Sequence, residues 1–171
     1  MKKLLAVFLS GAALAAAAEQ VWKYDFHSDK VAEIVKQKER YVSVCDSVLT
    51  FQIPARWMTI WGAVSLPLEF KSRKPGKPFT VRISGMVRLV DVVRNGVRKD
   101  DGVTMHLAYR RNGKKVFQGL QYVYRFGSCD WSEFSNTFSI PADAEDFSLL
   151  LGLQQCVGTL GIKDLVITEE E

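Results

Sequence analysis

Apolar and polar residues alternate along much of the chain. From Phe79 to Val90, one parity holds Phe79, Val81, Ile83, Val87 and Leu89, and the other holds Thr80, Arg82, Ser84 and Arg88. The pattern repeats with Val103, Met105, Leu107 and Tyr109 against Thr104, His106, Ala108 and Arg110. Successive strand side chains point to opposite faces, so this period predicts strands with one face in a core. Asn112-Gly113 then separates the second run from Lys114–Phe126. A two-residue hairpin turn needs φ > 0 at both positions, which Asn-Gly supplies, so a hairpin is expected there. Asn95-Gly96 and Asp101-Gly102 mark a longer loop.

Further strands are expected at Val21–Phe26, Tyr41–Ile53, Trp57–Leu68, Glu133–Ile140, Phe147–Gln155 and Leu160–Thr168. Lys71–Pro78 reads as a charged Pro/Gly loop, and Pro54, Pro67 and Pro141 fall at strand ends, where a missing N–H costs little. Only Ser28–Arg40 has loose helical spacing, in Val31, Ile34, Val35 and Lys38, and it reads as a helix or a loop with one turn. About eight strands without intervening helices predict an all-β chain, an antiparallel β-sandwich or barrel.

The first residues read differently. Lys2 and Lys3 precede an apolar stretch from Leu4 to Leu14, and Ala15–Ala18 supply small residues for cleavage before Glu19. This is the pattern of a secretory signal peptide over residues 1–18, leaving one domain over 19–171 that is secreted or periplasmic. The apolar core is shorter than the ~20 residues of a spanning helix, so no membrane insertion is expected after cleavage.

That reading changes the charge. The chain has 171 residues, with 23 Lys and Arg against 19 Asp and Glu. Loss of Lys2 and Lys3 leaves 21 basic residues and a net charge of about +2. Dedicated nucleic-acid binding needs a strongly basic patch, so no nucleic-acid partner is expected. Cys45, Cys129 and Cys156 are an odd set; they read as small buried residues or as one bridge with a thiol left over. Two distant histidines, His27 and His106, and no CxxC argue against a metal enzyme.

The C-terminal third carries an ordered set of residues: Trp131, Phe134, Phe138, Ile140-Pro141, Ala142–Ala144, the apolar run Leu149–Leu153, then Gly158, Ile162, Asp164 and Leu165. This order resembles the end of the jelly-roll carbohydrate-binding modules attached to bacterial glycoside hydrolases, in the galactose-binding-like superfamily. Gly76–Leu89, GKPFTVRISGMVRL, resembles the mid-domain strand of that family after its Pro-Gly-Lys loop. The N-terminal half departs from it: Lys23-Tyr24-Asp25-Phe26 stands in place of the Asn-Gly-Asp/Glu-Phe entry motif. The resemblance implies a jelly-roll β-sandwich that binds a polysaccharide or other glycan without chemistry. It places Trp131 as a packing residue at the sandwich edge. Relatives often hold a structural calcium between the first strand and the C-terminal Asp region. Asp25 and Asp164 echo that site, but two carboxylates fall short of the roughly 6–8 oxygens calcium takes. No cofactor is expected unless backbone carbonyls complete a structural calcium site there, and Asp164 reads as a turn or edge residue.

Sugar recognition uses flat rings against C–H faces and planar polar groups for hydroxyls. Trp57 and Trp61 share a parity and are candidates for a short aromatic platform. Arg82, His106, Arg125 and Gln154 are the polar candidates. If their strands lie in one sheet, they form a basic, hydrogen-bonding face suited to acidic or sulfated glycans. Tyr109, Tyr122 and Tyr124 share parity with core residues and are expected inside. The alternative is a structural or protein-interaction sandwich of the cell envelope, with a protein partner on the same faces. A third reading, a glycan hydrolase or lyase, needs paired carboxylates at Glu-x-Asp-x-x-Glu spacing, which the sequence lacks.

Overall fold

In the computed structural model, which describes residues 20–55, 61–70, 74, 76–94, 101–120 and 126–170, the alternating segments are strands. In chain order they run β1 (Gln20–Lys23), α1 (Asp29–Lys36), β2 (Val42–Cys45), β3 (Val48–Ile53), β4 (Trp61–Pro67), β5 (Phe79–Arg94), β6 (Gly102–Arg111), β7 (Lys114–Gly119), β8 (Gly127–Ile140), β9 (Ala144–Gln154) and β10 (Cys156–Glu170). One sheet has the order β2-β3-β10-β5-β8, with β1 also paired to β10; the other has the order β4-β9-β6-β7. All the pairings are antiparallel. The two apolar faces meet in one core, and the fold is an antiparallel jelly-roll β-sandwich.

Parity fills that core as expected. Phe79, Val81, Ile83, Val87 and Leu89 of β5 are all buried, as are Val103, Met105, Leu107 and Tyr109 of β6. Leu149, Leu151 and Leu153 of β9 face Leu49, Phe51, Ile53, Leu160 and Ile162 across the interior. Each such side chain contributes roughly 1.5–3 kcal/mol by leaving water. Edge-to-face rings close one end, with Phe70 at 5.3 Å from Phe79 and 4.8 Å from Phe147.

The Asn112-Gly113 turn forms as its residues require, with φ of 51° and 72°. Residues Asp29–Lys36 are helical, and Val31 anchors the helix in the core. Several boundaries differ from expectation. Tyr41–Ile53 is not one strand but the β2–β3 hairpin, turned at Asp46 and Ser47 with φ of 48° and 61°. Of the expected run Lys114–Phe126, β7 covers Lys114–Gly119, and residues 121–125 lie outside the described residues. The first strand stops at Lys23; beyond it the Asp25 carboxylate accepts a hydrogen bond from the His27 amide at 2.8 Å. The signal-peptide expectation, Trp57, Asn95-Gly96 and residues 121–125 lie outside the described residues. Among the described residues, no helix is long and apolar enough to cross a membrane.

The three cysteines are free thiols: Cys45 is exposed, Cys129 half-buried and Cys156 buried. The expectation of small buried residues thus holds fully only for Cys156, whose thiol burial pushes up to about 11.

Candidate functional site on the four-stranded sheet

Register fixes which residues share the outer face of the four-stranded sheet. Ala63 pairs with Gly152, and Gly152 with Thr104. Ser65, Leu150, His106 and Gly119 form the next row across all four strands. Pro67, Ser148, Ala108 and Phe117 form the row after that. At the other end Gln154 stands opposite Trp61 and Gly102. Two residues of strand rise about 7 Å, so the face from the Gln154 row to the Phe117 row runs about 20 Å.

Small residues make its floor. Gly152 has φ of 150°, and a Cβ there would lie 2.2 Å from the Gly62 carbonyl oxygen and 2.5 Å from the Ala63 Cα. Only glycine allows β4 this approach. Planar polar groups stand on the floor. Thr104 Oγ1 donates a long hydrogen bond of 3.4 Å to Gln154 Oε1, which orients the amide. The His106 imidazole lies over Gly119, where a Cβ would meet it in ordinary van der Waals contact, 3.6 Å from its Cδ2 and 3.7 Å from its Nε2. The Phe117 ring meets His106 edge-on, with centroids 6.2 Å apart, and is 52% exposed. Behind this face, core-facing Tyr109 accepts a hydrogen bond on its hydroxyl from Gln118 Nε2 at 2.9 Å.

The sequence candidates divide. His106 and Gln154 come together on this face, and Trp61 lies opposite Gln154 in the ladder, its side chain outside the described residues. Trp57 and Arg125 lie outside the described residues. Arg82 is a correction. It belongs to β5 in the six-stranded sheet, exposed on that sheet's outer face opposite Thr137 and Thr168. Parity gave its face rightly, but the chain crosses the sandwich between β5 and β6, so Arg82 and His106 look away from each other. The described side chains from Gln154 to Ser148 therefore carry no arginine, lysine or carboxylate. Charges gather one row beyond, at Arg110, Lys115 and Glu145. Phe117, Thr104, Ser65 and Ser148 were missed. Phe117 was recoverable, because a two-residue turn pairs each residue with its mirror about Asn112-Gly113.

Other candidates have packing or pairing roles. Trp131 rests over Gly161, where a Cβ would meet its ring at 3.0 Å, and Lys163 Nζ lies 4.5 Å from the ring centroid. Asp164 accepts a hydrogen bond from Lys23 at 2.8 Å, which holds its carboxyl below the usual range. Among the described residues, no group of three or more His, Cys, Asp or Glu is placed to hold a metal ion.

No family model matches the chain. No curated protein matches it significantly. Solved structures do. The CBM22-1 xylan-binding domain of Paenibacillus barcinonensis Xyn10C superposes with a TM-score of 0.52 at 15% identity, over 92% of this chain and 99% of that one. The CBM22-1–GH10 modules of the Clostridium thermocellum endo-1,4-beta-D-xylanase 10B, complexed with xylohexaose, superpose with a TM-score of 0.51 at 13% identity, over 77% of this chain and 24% of that one. The fold is that of a carbohydrate-binding module.

Proposed function

We propose that the protein binds a polysaccharide, without chemistry, on the outer face of the four-stranded sheet. The observation that carries this reading is the make-up of that face: a floor of Ala63, Gly152, Thr104 and Ser65, with the half-buried Gln154 and His106 standing on it and an exposed Phe117 ring at its margin. Planar donors and acceptors over a flat floor suit sugar hydroxyls, and the ring suits a C–H face. The lack of described charge in its central rows favours a neutral glycan backbone over the acidic one that a basic face would have taken. Xylan is the first polymer to try, since both structural neighbours above are described with xylan or a xylo-oligosaccharide. We place the mature chain outside the cytoplasm, on the strength of the signal-peptide pattern in residues 1–18.

Isothermal titration against xylan, mixed-linkage glucan and mannan tests the reading. Removing one ligand hydrogen bond costs about 1 kcal/mol, so Gln154→Ala and His106→Ala should each weaken binding about fivefold or more. Arg82→Ala, on the other sheet, should leave affinity unchanged. Absence of binding to every polymer, or equal losses in all three variants, would overturn the assignment.

A further inference from the structure

The β6–β7 hairpin sets like charges against each other. Arg110 stands directly opposite Lys115, and Arg111 directly opposite Lys114. Like charges in directly opposed positions destabilise a strand pair. The arginines find relief on the β9 side: Arg110 lies 3.4 Å from Asp146, and Arg111 donates to Asp143 at 2.9 Å. Glu145 also faces Arg110 in register. The lysines are on the edge strand. Two strand spacings, about 10 Å, separate Lys115 from Glu145, more than the roughly 8 Å screening length at physiological ionic strength. Lys115 is exposed, and parity puts it on the same face as Phe117, two residues along β7. An ammonium and an open ring are therefore carried by backbone positions about 7 Å apart at the end of the proposed glycan face.

We propose that this end is a subsite for a uronic acid carried by the glycan, with the Phe117 ring beneath the sugar and Lys115 on its carboxylate. The inference rests on the glycan-binding reading of the face and adds to it the class of substituent. On the Phe117 face Arg110 is already paired with Asp146 and Lys114 falls on the other parity, so Lys115 offers a single ammonium, which suits a sparsely charged polymer with single carboxylates on its branches. Densely sulfated chains call for clustered cations, and the net charge of the whole chain is only +4. The carboxylate would also relieve the repulsion between Lys115 and Arg110.

Titration with a glucuronate-substituted xylan and the same xylan stripped of its glucuronate tests this. The substituted polymer should bind about two- to fivefold tighter, as an exposed ion pair allows. The preference should shrink at high salt and vanish in Lys115→Gln, while affinity for the stripped polymer stays the same. Phe117→Ala should weaken binding of the substituted polymer more than of the stripped one. Equal affinity for the two polymers, or a preference that survives Lys115→Gln, overturns the subsite. A preference for a sulfated xylan without one for the glucuronate form overturns the carboxylate assignment. Binding of neither xylan nor any other glycan instead sinks the reading of the whole face.

Discussion

Besides Asp46 in its hairpin turn, three aspartates hold backbone conformations that most residues avoid. Asp91, Asp146 and Asp164 have φ of 50°, 53° and 51°, and each lies within a register shift: Asp91 in β5, Asp146 in β9 and Asp164 in β10. They sit at β-bulges, where one strand carries an extra residue and bends. Aspartate tolerates this region because its short side chain bonds locally. At Asp91 the bonds are explicit: Ser128 Oγ accepts from the Asp91 amide at 2.8 Å and donates to its carboxylate at 3.0 Å. The expectation that Asp164 is a turn or edge residue fits its place at a bulge. Asp146 offers a clean test of backbone cost. Asp146→Ala should destabilise by about 1 kcal/mol, whereas Asp146→Gly should cost less, because glycine enters the left-handed region freely. Both variants lose the same exposed pairing with Arg110. Urea midpoints compare them directly, and equal losses would show that the ion pair, not the backbone, sets the cost.

Turn chemistry governs which strand pairs are legible from sequence. The β6–β7 hairpin was legible because Asn112-Gly113 accepts positive φ without strain, and the turn then fixes the register back to His106 and Gly119. The β2–β3 hairpin was hidden because Asp46-Ser47 adopts the same kind of turn without a glycine, so Tyr41–Ile53 read as one strand. The same contrast yields a prediction. Replacing Asp46-Ser47 by Asn-Gly should raise stability by about 1 kcal/mol, with no change in the β2–β3 pairing. Thermal unfolding of the double variant measures it, and an unchanged or lowered midpoint would count against a strained turn. Pairing between distant strands is a harder matter. Parity told that Arg82 and His106 each face away from a core, but not that β5 and β6 belong to different sheets. Ser65 and Ser148 join the site only because β4 and β9 pair across more than 80 residues of sequence. No local pattern encodes that pairing, so parity puts His106 and Gln154 on an outer face but cannot add Ser65 and Ser148 to it.

The two sheets are tied at points that respond to alkali. The Tyr24 hydroxyl, just after β1, donates to the Pro67 carbonyl at the end of β4 at 2.9 Å, linking one sheet to the other. Burial, helped by Asp25 and Glu69, pushes its pKa from 10.0 to about 12. Cys156, buried at the start of β10, is raised from 9.0 to about 11, chiefly by burial. In both cases the folded chain keeps a proton that the unfolded chain gives up. The unfolded state then binds fewer protons, so stability falls as pH rises, from about 9 to 11 for Cys156 and from about 10 to 12 for Tyr24. Below pH 8 both groups are protonated in either state and contribute no slope. Urea midpoints at pH 8, 9.5 and 11 should therefore decline step by step. Cys156→Ala should remove the earlier part of the decline and Tyr24→Phe the later part, whatever each variant does to the pH 8 baseline. A decline that persists unchanged in the double variant would place the alkaline sensitivity elsewhere than at the junction of the sheets.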